Sequence, residues 1–168
     1  MASSYDYVLQ FGLDRLSQAY VQNIRNRIRQ NDLVDRQRGW LPHITIDKYK
    51  CKEEDKIVEI IDSVVEGIYE IPFAVEEFGN FDGETLYLKP SNIEEFRIVK
   101  ETFDKALKNY KVKGRDTYNP HITLCTNDKL EESIDVVMSI FSSFRGYACK
   151  LWLYDEKMCL IKEWLLRL

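Results

Sequence analysis

Histidine is scarce in this chain: 168 residues contain two. Proline and glycine are also sparse, at four and seven, so no flexible linker or low-complexity tract divides the sequence. Excess positive charge is missing too. The 24 Lys and Arg set against 28 Asp and Glu leave a net charge of −4, which excludes a general grip on duplex DNA or RNA. A short phosphate-bearing substrate held by a few local cations stays open. No apolar run approaches the ~20 residues a bilayer-spanning helix needs. The opening residues, Met1-Ala2-Ser3-Ser4-Tyr5-Asp6, have neither the basic region nor the apolar stretch of a secretion signal. The expectation is a cytoplasmic monomer with no membrane attachment. Cys51, Cys125, Cys149 and Cys159 form no Cys-x-x-Cys pair and have no zinc-type spacing to a histidine. They are expected to be reduced residues of the core.

What is present is a regular alternation of elements. Four segments have apolar residues at steps of three and four: Leu13, Leu16, Tyr20, Ile24 and Ile28; Ile57, Ile60, Ile61, Val64 and Ile68; Phe96, Val99, Phe103 and Leu107; and Leu130, Ile134, Val137, Phe141 and Phe144. Each carries charges opposite, as helices covering an apolar layer do. Between them lie strand-like runs at 5–11, 43–49, 71–78, 85–89, 121–126, 147–154 and 159–166. Asp82-Gly83 is a hairpin turn signal, and Asp155-Glu156-Lys157 is expected to turn the last pair. The tryptophans Trp152 and Trp164, with Tyr154, are expected to cover the core.

Residues 5–78 read β-α-β-α-β and residues 85–166 read β-α-β-α-β-β. Their second strands begin alike, with Pro42-His43-Ile44-Thr45 and Pro120-His121-Ile122-Thr123, preceded by Trp40-Leu41 and Tyr118-Asn119. This is an internal repeat at structurally equivalent positions. The reading is an α+β fold: one domain over 1–168, bilobal and pseudo-twofold, with two antiparallel sheets lining a central cleft and helices outside. An exchange of terminal strands between the halves is compatible with the pattern.

Proline lacks an amide donor and suits the start of a strand. Beyond it side chains alternate between faces. Ile44 and Ile46 then face the helices, while His43 and Thr45 face away, joined by Asp47 and Tyr49 if the strand stays regular. In the second copy Ile122 and Leu124 face the core, and His121, Thr123 and Cys125 share the other side. Each motif offers an imidazole and a hydroxyl roughly 7 Å apart. Two histidines meeting in one cleft suit a reaction needing a general base and a general acid near neutral pH. Attack of water or a ribose hydroxyl on a phosphodiester fits, with both hydroxyls donating to the non-bridging oxygens where charge develops. No metal or other cofactor is expected. A two-histidine metal site is the weaker alternative, since only Asp47 offers a third ligand and Cys125 stands in its counterpart.

The paired motifs His43-Ile44-Thr45-Ile46 and His121-Ile122-Thr123-Leu124 resemble those of the 2H phosphoesterase superfamily, within it the 2'-5' RNA ligase-like branch of RNA 2',3'-cyclic phosphodiesterases. The likeness in element order spans residues 5–166. It implies a bilobal α+β fold and metal-independent cleavage or formation of ribose-linked phosphodiesters, with His43, Thr45, His121 and Thr123 as the catalytic set. It also implies His121 as the base and His43 as the acid. Members often have a Gly-containing apolar stretch after the first motif, where this chain reads Asp47-Lys48-Tyr49-Lys50. A hydrolase of 2'-5' oligoadenylates or cyclic dinucleotides, and a non-catalytic RNA- or nucleotide-binding module, stay open as alternatives.

Substrate contacts are expected from Trp40, Lys48, Tyr49, Arg115 and Tyr118. Trp40 and Tyr118 could each stack on a base or plug the strand entry. Arg36, Arg38, Lys111, Lys113 and Arg115 precede the motifs, and Lys48 and Lys50 follow the first; they are either steering charges for an anionic substrate or solvated loop residues. The expected partner is a small nucleotide or RNA end.

Overall fold

The computed structural model describes residues 4–31, 33, 35, 39–112 and 117–168. Arg36, Arg38, Lys113 and Arg115 fall outside the described residues. The element order is β1 (Tyr7–Leu13), α1 (Arg15–Gln30), β2 (His43–Tyr49), α2 (Glu54–Val65), β3 (Ile71–Phe81), β4 (Thr85–Pro90), α3 (Ile93–Ala106), β5 (Ile122–Thr126), α4 (Leu130–Ile140), β6 (Phe144–Asp155) and β7 (Leu160–Leu165). The α+β class and the antiparallel pairing agree with the sequence.

Three expectations need correction. The strands form one ladder rather than two separate sheets, in the order β2-β1-β6-β3-β4-β5 with β7 also on β6. The cause is the length of β6: Ala148–Asp155 pair with β1, while Phe144–Ala148 pair with β3. β3, which closes the first half of the sequence, therefore pairs with β4 and β6 of the second. Phe144, expected on the last helix, is the first residue of β6, and Leu13, expected on the first helix, ends β1 in the core.

Local chemistry accounts for the element ends. Asp14 caps α1, accepting from the Ser17 amide at 3.1 Å and the Ser17 hydroxyl at 2.7 Å, which satisfies an otherwise unpaired first-turn donor. The first turns of α2, α3 and α4 carry Glu54 and Asp55, Glu94 and Glu95, and Glu131 and Glu132, complementing the helix dipole. Asp82 and Gly83 have φ of 52° and 72°, as a tight hairpin between β3 and β4 requires.

Alternation sorts the sheet faces. Leu9, Phe11 and Leu13 of β1 and Leu151 and Leu153 of β6 join the main core, beneath the helices. The opposite face carries Val8, Trp152 and Tyr154, a separate apolar cluster against which Tyr5 and Trp40 pack. Trp164 lies in the main core as expected, but Trp152 and Tyr154 do not.

Candidate active site

Both motifs sit on the outermost strands of the ladder, β2 and β5, and both are bent in the same place. Opposite β1, Gln10 pairs with Thr45 and Leu9 with Asp47, so Ile46 is an extra residue. Opposite β4, Tyr87 pairs with Thr123 and Leu86 with Cys125, so Leu124 is the extra residue. A bulge reverses the alternation beyond it. The consequence is visible in the side chains. Asp47 and Tyr49 leave the histidine face for the helix side, and so does Cys125, while Lys48 turns to the histidine face opposite Val8.

This corrects the reading of Tyr49. It is fully buried in the main core, where burial and then Asp47 and Asp104 push its phenol well above the ordinary range; it is no substrate contact. Among the described residues its hydroxyl has no hydrogen-bond partner. Asp47 instead meets Lys100 of α3 at 2.7 Å, and Lys100 holds Asp104 at 2.8 Å. Burial, with the neighbouring Asp104, raises the Asp47 carboxyl. Lys111 joins the same pair, 3.1 Å from Asp104. It is thus tied to carboxylates beside β2, neither a steering charge for substrate nor a solvated loop residue.

The two imidazoles are held in the same way. His43 Nδ1 lies 2.7 Å from the Leu41 carbonyl and His121 Nδ1 lies 2.8 Å from the Asn119 carbonyl. A carbonyl only accepts, so Nδ1 carries the proton in each neutral ring and Nε2 carries the lone pair. His43 is 7% exposed, and burial lowers its pKa from 6.5 to about 4, with further lowering by Arg25 and by His121. His121 is the last of the groups that lower it. Thr45 and Thr123 are half-buried beside them, and among the described residues no hydrogen bond engages either hydroxyl.

Aromatic rings flank both histidines. Trp40 meets His43 edge-on at 5.9 Å between ring centroids and Tyr154 at 5.1 Å. Phe81 and Tyr87 stack at 4.3 Å and meet His121 at 4.9 and 5.4 Å. Glycines let these rings lie flat on the sheet. A Cβ on Gly12, which pairs with His43, would sit 2.8 Å from the Trp152 ring, and one on Gly79 would sit 2.8 Å from the Tyr87 hydroxyl. Lys48 stays on this face, its Nζ 4.8 Å from the centre of the Tyr5 ring. Tyr118 is turned inward: its hydroxyl donates to the Thr45 carbonyl at 2.7 Å and Lys100 lies 5.3 Å from its ring centre. Tyr118 therefore plugs and ties the strand entry.

The sequence reading missed Arg25 and Gln10. Arg25, on α1, is 3% exposed. Its Nη2 and Nε donate to the Thr123 carbonyl at 2.7 and 3.3 Å, and its Nη1 donates to the Trp40 carbonyl. Burial lowers its pKa to about 10, so it remains charged at neutral pH. The available signal was an arginine inside the stripe Val21, Ile24, Ile28. Gln10 is 2% exposed opposite Thr45, and its Oε1 has no partner among the described residues; a polar residue between Leu9 and Phe11 marks the non-core face. A hollow of about 430 Å³ between α1 and α4, lined by Tyr20, Asn23, Arg27, Gln30 and Ile140 among others, contains no motif residue. Among the described residues, no three His, Cys, Asp or Glu side chains gather as metal ligands, and no helix is long and apolar enough to cross a membrane.

The fold is similar to that of Escherichia coli LigT solved with 3'-AMP, at TM-score 0.65 and 12% identity over 96% of this chain and 98% of that one. LigT has also been solved with ATP and with NADP+. TT0787 of Thermus thermophilus matches at TM-score 0.62 and 13% identity, over 96% and 98% of the two chains. Kluyveromyces marxianus Usb1 matches at TM-score 0.50 and 14% identity, over 99% of each chain. No curated protein matches the sequence. The family model of the 2'-5' RNA ligase superfamily matches residues 13–157. With both His-x-Thr motifs inside that span, the chain belongs to the 2'-5' RNA ligase superfamily of 2H phosphoesterases.

Proposed function

We propose that this protein is a phosphodiesterase acting on ribose-linked phosphodiesters, a 2',3'-cyclic phosphate or a 2'-5' linkage, by two-histidine acid–base catalysis without a metal. The supporting observation is the matched anchoring of His43 and His121, each by Nδ1 to the carbonyl two residues back. One domain carries the reaction, as a cytoplasmic monomer, on a small nucleotide or RNA end.

The roles of the two histidines reverse those that the resemblance implies. An imidazole held near pKa 4 by burial is unprotonated at neutral pH. Casting it as the acid would require its rarest form, while casting it as the base uses its resting form. His43 Nε2 therefore takes a proton from water as the water oxygen bonds to phosphorus. The bond from phosphorus to the leaving ribose oxygen breaks, and that oxygen takes a proton from His121. Exchange with solvent then resets both rings. The Thr45 and Thr123 hydroxyls donate to the non-bridging oxygens as negative charge grows there, a contribution worth ~3 kcal/mol per donor in comparable sites. Arg25 adds a buried positive charge.

Aromatic side chains beside both histidines favour a second reading of the substrate: a linear linkage with a nucleoside on each side, stacking on Trp40 and on Phe81. The nucleotides held by LigT suit either reading. The test is incubation in EDTA with 2',3'-cyclic nucleotides, 2'-5' and 3'-5' dinucleotides and cyclic dinucleotides. Turnover that survives chelation and vanishes in His43→Ala and in His121→Ala supports the proposal and identifies the linkage. Binding without turnover would make the protein a nucleotide-binding module, and metal-dependent turnover would overturn the mechanism.

A further inference from the structure

The two motifs are tied to each other crosswise, through backbone carbonyls rather than through their catalytic side chains. Tyr118, three residues before His121, donates to the carbonyl of Thr45 in the first motif at 2.7 Å. Arg25, in the first half of the chain, donates to the carbonyl of Thr123 in the second motif at 2.7 Å and also grips the Trp40 carbonyl just before the first. Both bonds end on the threonine that directly precedes a bulge residue, Ile46 or Leu124. β2 and β5 lie at opposite ends of the ladder, so strand pairing links the motifs only through four intervening strands. Contacts outside the ladder must therefore set the spacing across the cleft directly. The ties are also braced. Arg25 is buried and desolvated, and the Tyr118 ring is packed against Lys100, which Asp47 and Asp104 hold. Lys50 and Val112 amides bond the Tyr110 and Lys48 carbonyls, clipping the segment that leads to Tyr118 onto the end of β2.

We propose that Arg25 and Tyr118 are positioning residues that set the separation of the two His-x-Thr motifs, each by bonding the threonine carbonyl of the opposite motif. Neither touches the reacting atoms in this scheme. Two bonds of this kind convert a cleft between edge strands into a site of fixed width, which acid–base catalysis by two separated groups requires. This inference rests on the catalytic reading above for its kinetic consequence but not for its geometric one.

The experiment exploits the presence of two histidines in the chain, which gives a nitrogen-15 imidazole spectrum with two ring systems. Titration by NMR yields the midpoint of His43 in the wild type and in His121→Gln; the difference measures how strongly one ring feels the other. The same pair is measured in Tyr118→Phe, which removes one hydroxyl, and in Arg25→Lys, which keeps the charge but loses the forked donor geometry. Thermal melts verify that each variant is folded. The expected result is that the difference shrinks by about half in Tyr118→Phe, as for any pair moved apart. On whichever diester of the panel the wild type cleaves, kcat then falls about tenfold with KM within about twofold. An unchanged His43–His121 difference in folded Tyr118→Phe overturns the inference, and so does a loss confined to KM, which would put Tyr118 against the substrate. If the wild type cleaves nothing on the panel, the catalytic reading fails and the NMR measurement still decides the positioning role. If Arg25→Lys does not fold, Tyr118→Phe decides alone.

Discussion

Substitution of His43 by glutamine should make the protein lose less stability in acid than the wild type does. The folded chain holds this imidazole near pKa 4, against 6.5 when unfolded. Between those values the unfolded chain binds a proton that the folded chain refuses. Folding free energy therefore declines as pH drops through the window and levels off below about 4. The stabilisation is fully present above pH 6.5 and is lost on acidification, the sign expected for a depressed folded-state pKa. At pH 4.5 the integrated loss from this single group is roughly 2–3 kcal/mol. Glutamine has no such titration. Urea unfolding of wild type and His43→Gln at pH 7.5 and 4.5 isolates the effect, because the carboxylates titrate alike in both and cancel in the difference. If wild type and His43→Gln lose the same stability between the two pH values, His43 is not a desolvated imidazole. The assignment of His43 as base then loses its support.

Three further outcomes are expected. Tyr49→Phe removes a buried hydroxyl that has no partner among the described residues, so urea unfolding should show stability unchanged or raised by up to ~1 kcal/mol, with diesterase turnover intact. Gly12→Ala drives a methyl group to 2.8 Å from the Trp152 ring; a destabilisation of about 1–3 kcal/mol and reduced turnover should follow, since that ring lies beside the strand pair holding His43. Asp14→Ala removes the cap of α1 and should cost about 1 kcal/mol in thermal or urea melts, with KM unaffected.

The sequence made the proposed catalytic frame legible because its signal is chemical and duplicated. His43, Thr45, His121 and Thr123 stand at matching places in two strands whose buried Ile44, Ile46, Ile122 and Leu124 are plain from alternation. Alternation fails one residue later. A bulge adds a residue without changing residue types, so strict alternation puts Asp47, Tyr49 and Lys48 on the wrong faces. Trp152 and Tyr154 mislead for a related reason: large aromatics suggest a core, and only the pairing of β6 with β1 shows that they share the face of Gln10 and Gly12. The single ladder is hidden because β6 reads as one ordinary strand until its two halves are seen to have different partners. Arg25 is visible in principle, as a charge within an apolar helical stripe, but what it bonds is decided by contacts nearly a hundred residues away.

The shared strand β6 also dictates a schedule. Tyr7 pairs with Asp155 and Leu13 with Ala148, so on the ribosome β1 has only β2 for a neighbour until residues 148–155 have been synthesised. Contacts this distant in sequence close slowly. Meanwhile a strand reading Val8-Leu9-Gln10-Phe11 presents an open hydrogen-bonding edge to any other chain nearby. Helix α1, capped locally by Asp14, can shelter one side of β1 in the interval but not that edge. Translation speed through residues 144–155 should therefore influence the yield of soluble protein more than speed through the histidine motifs.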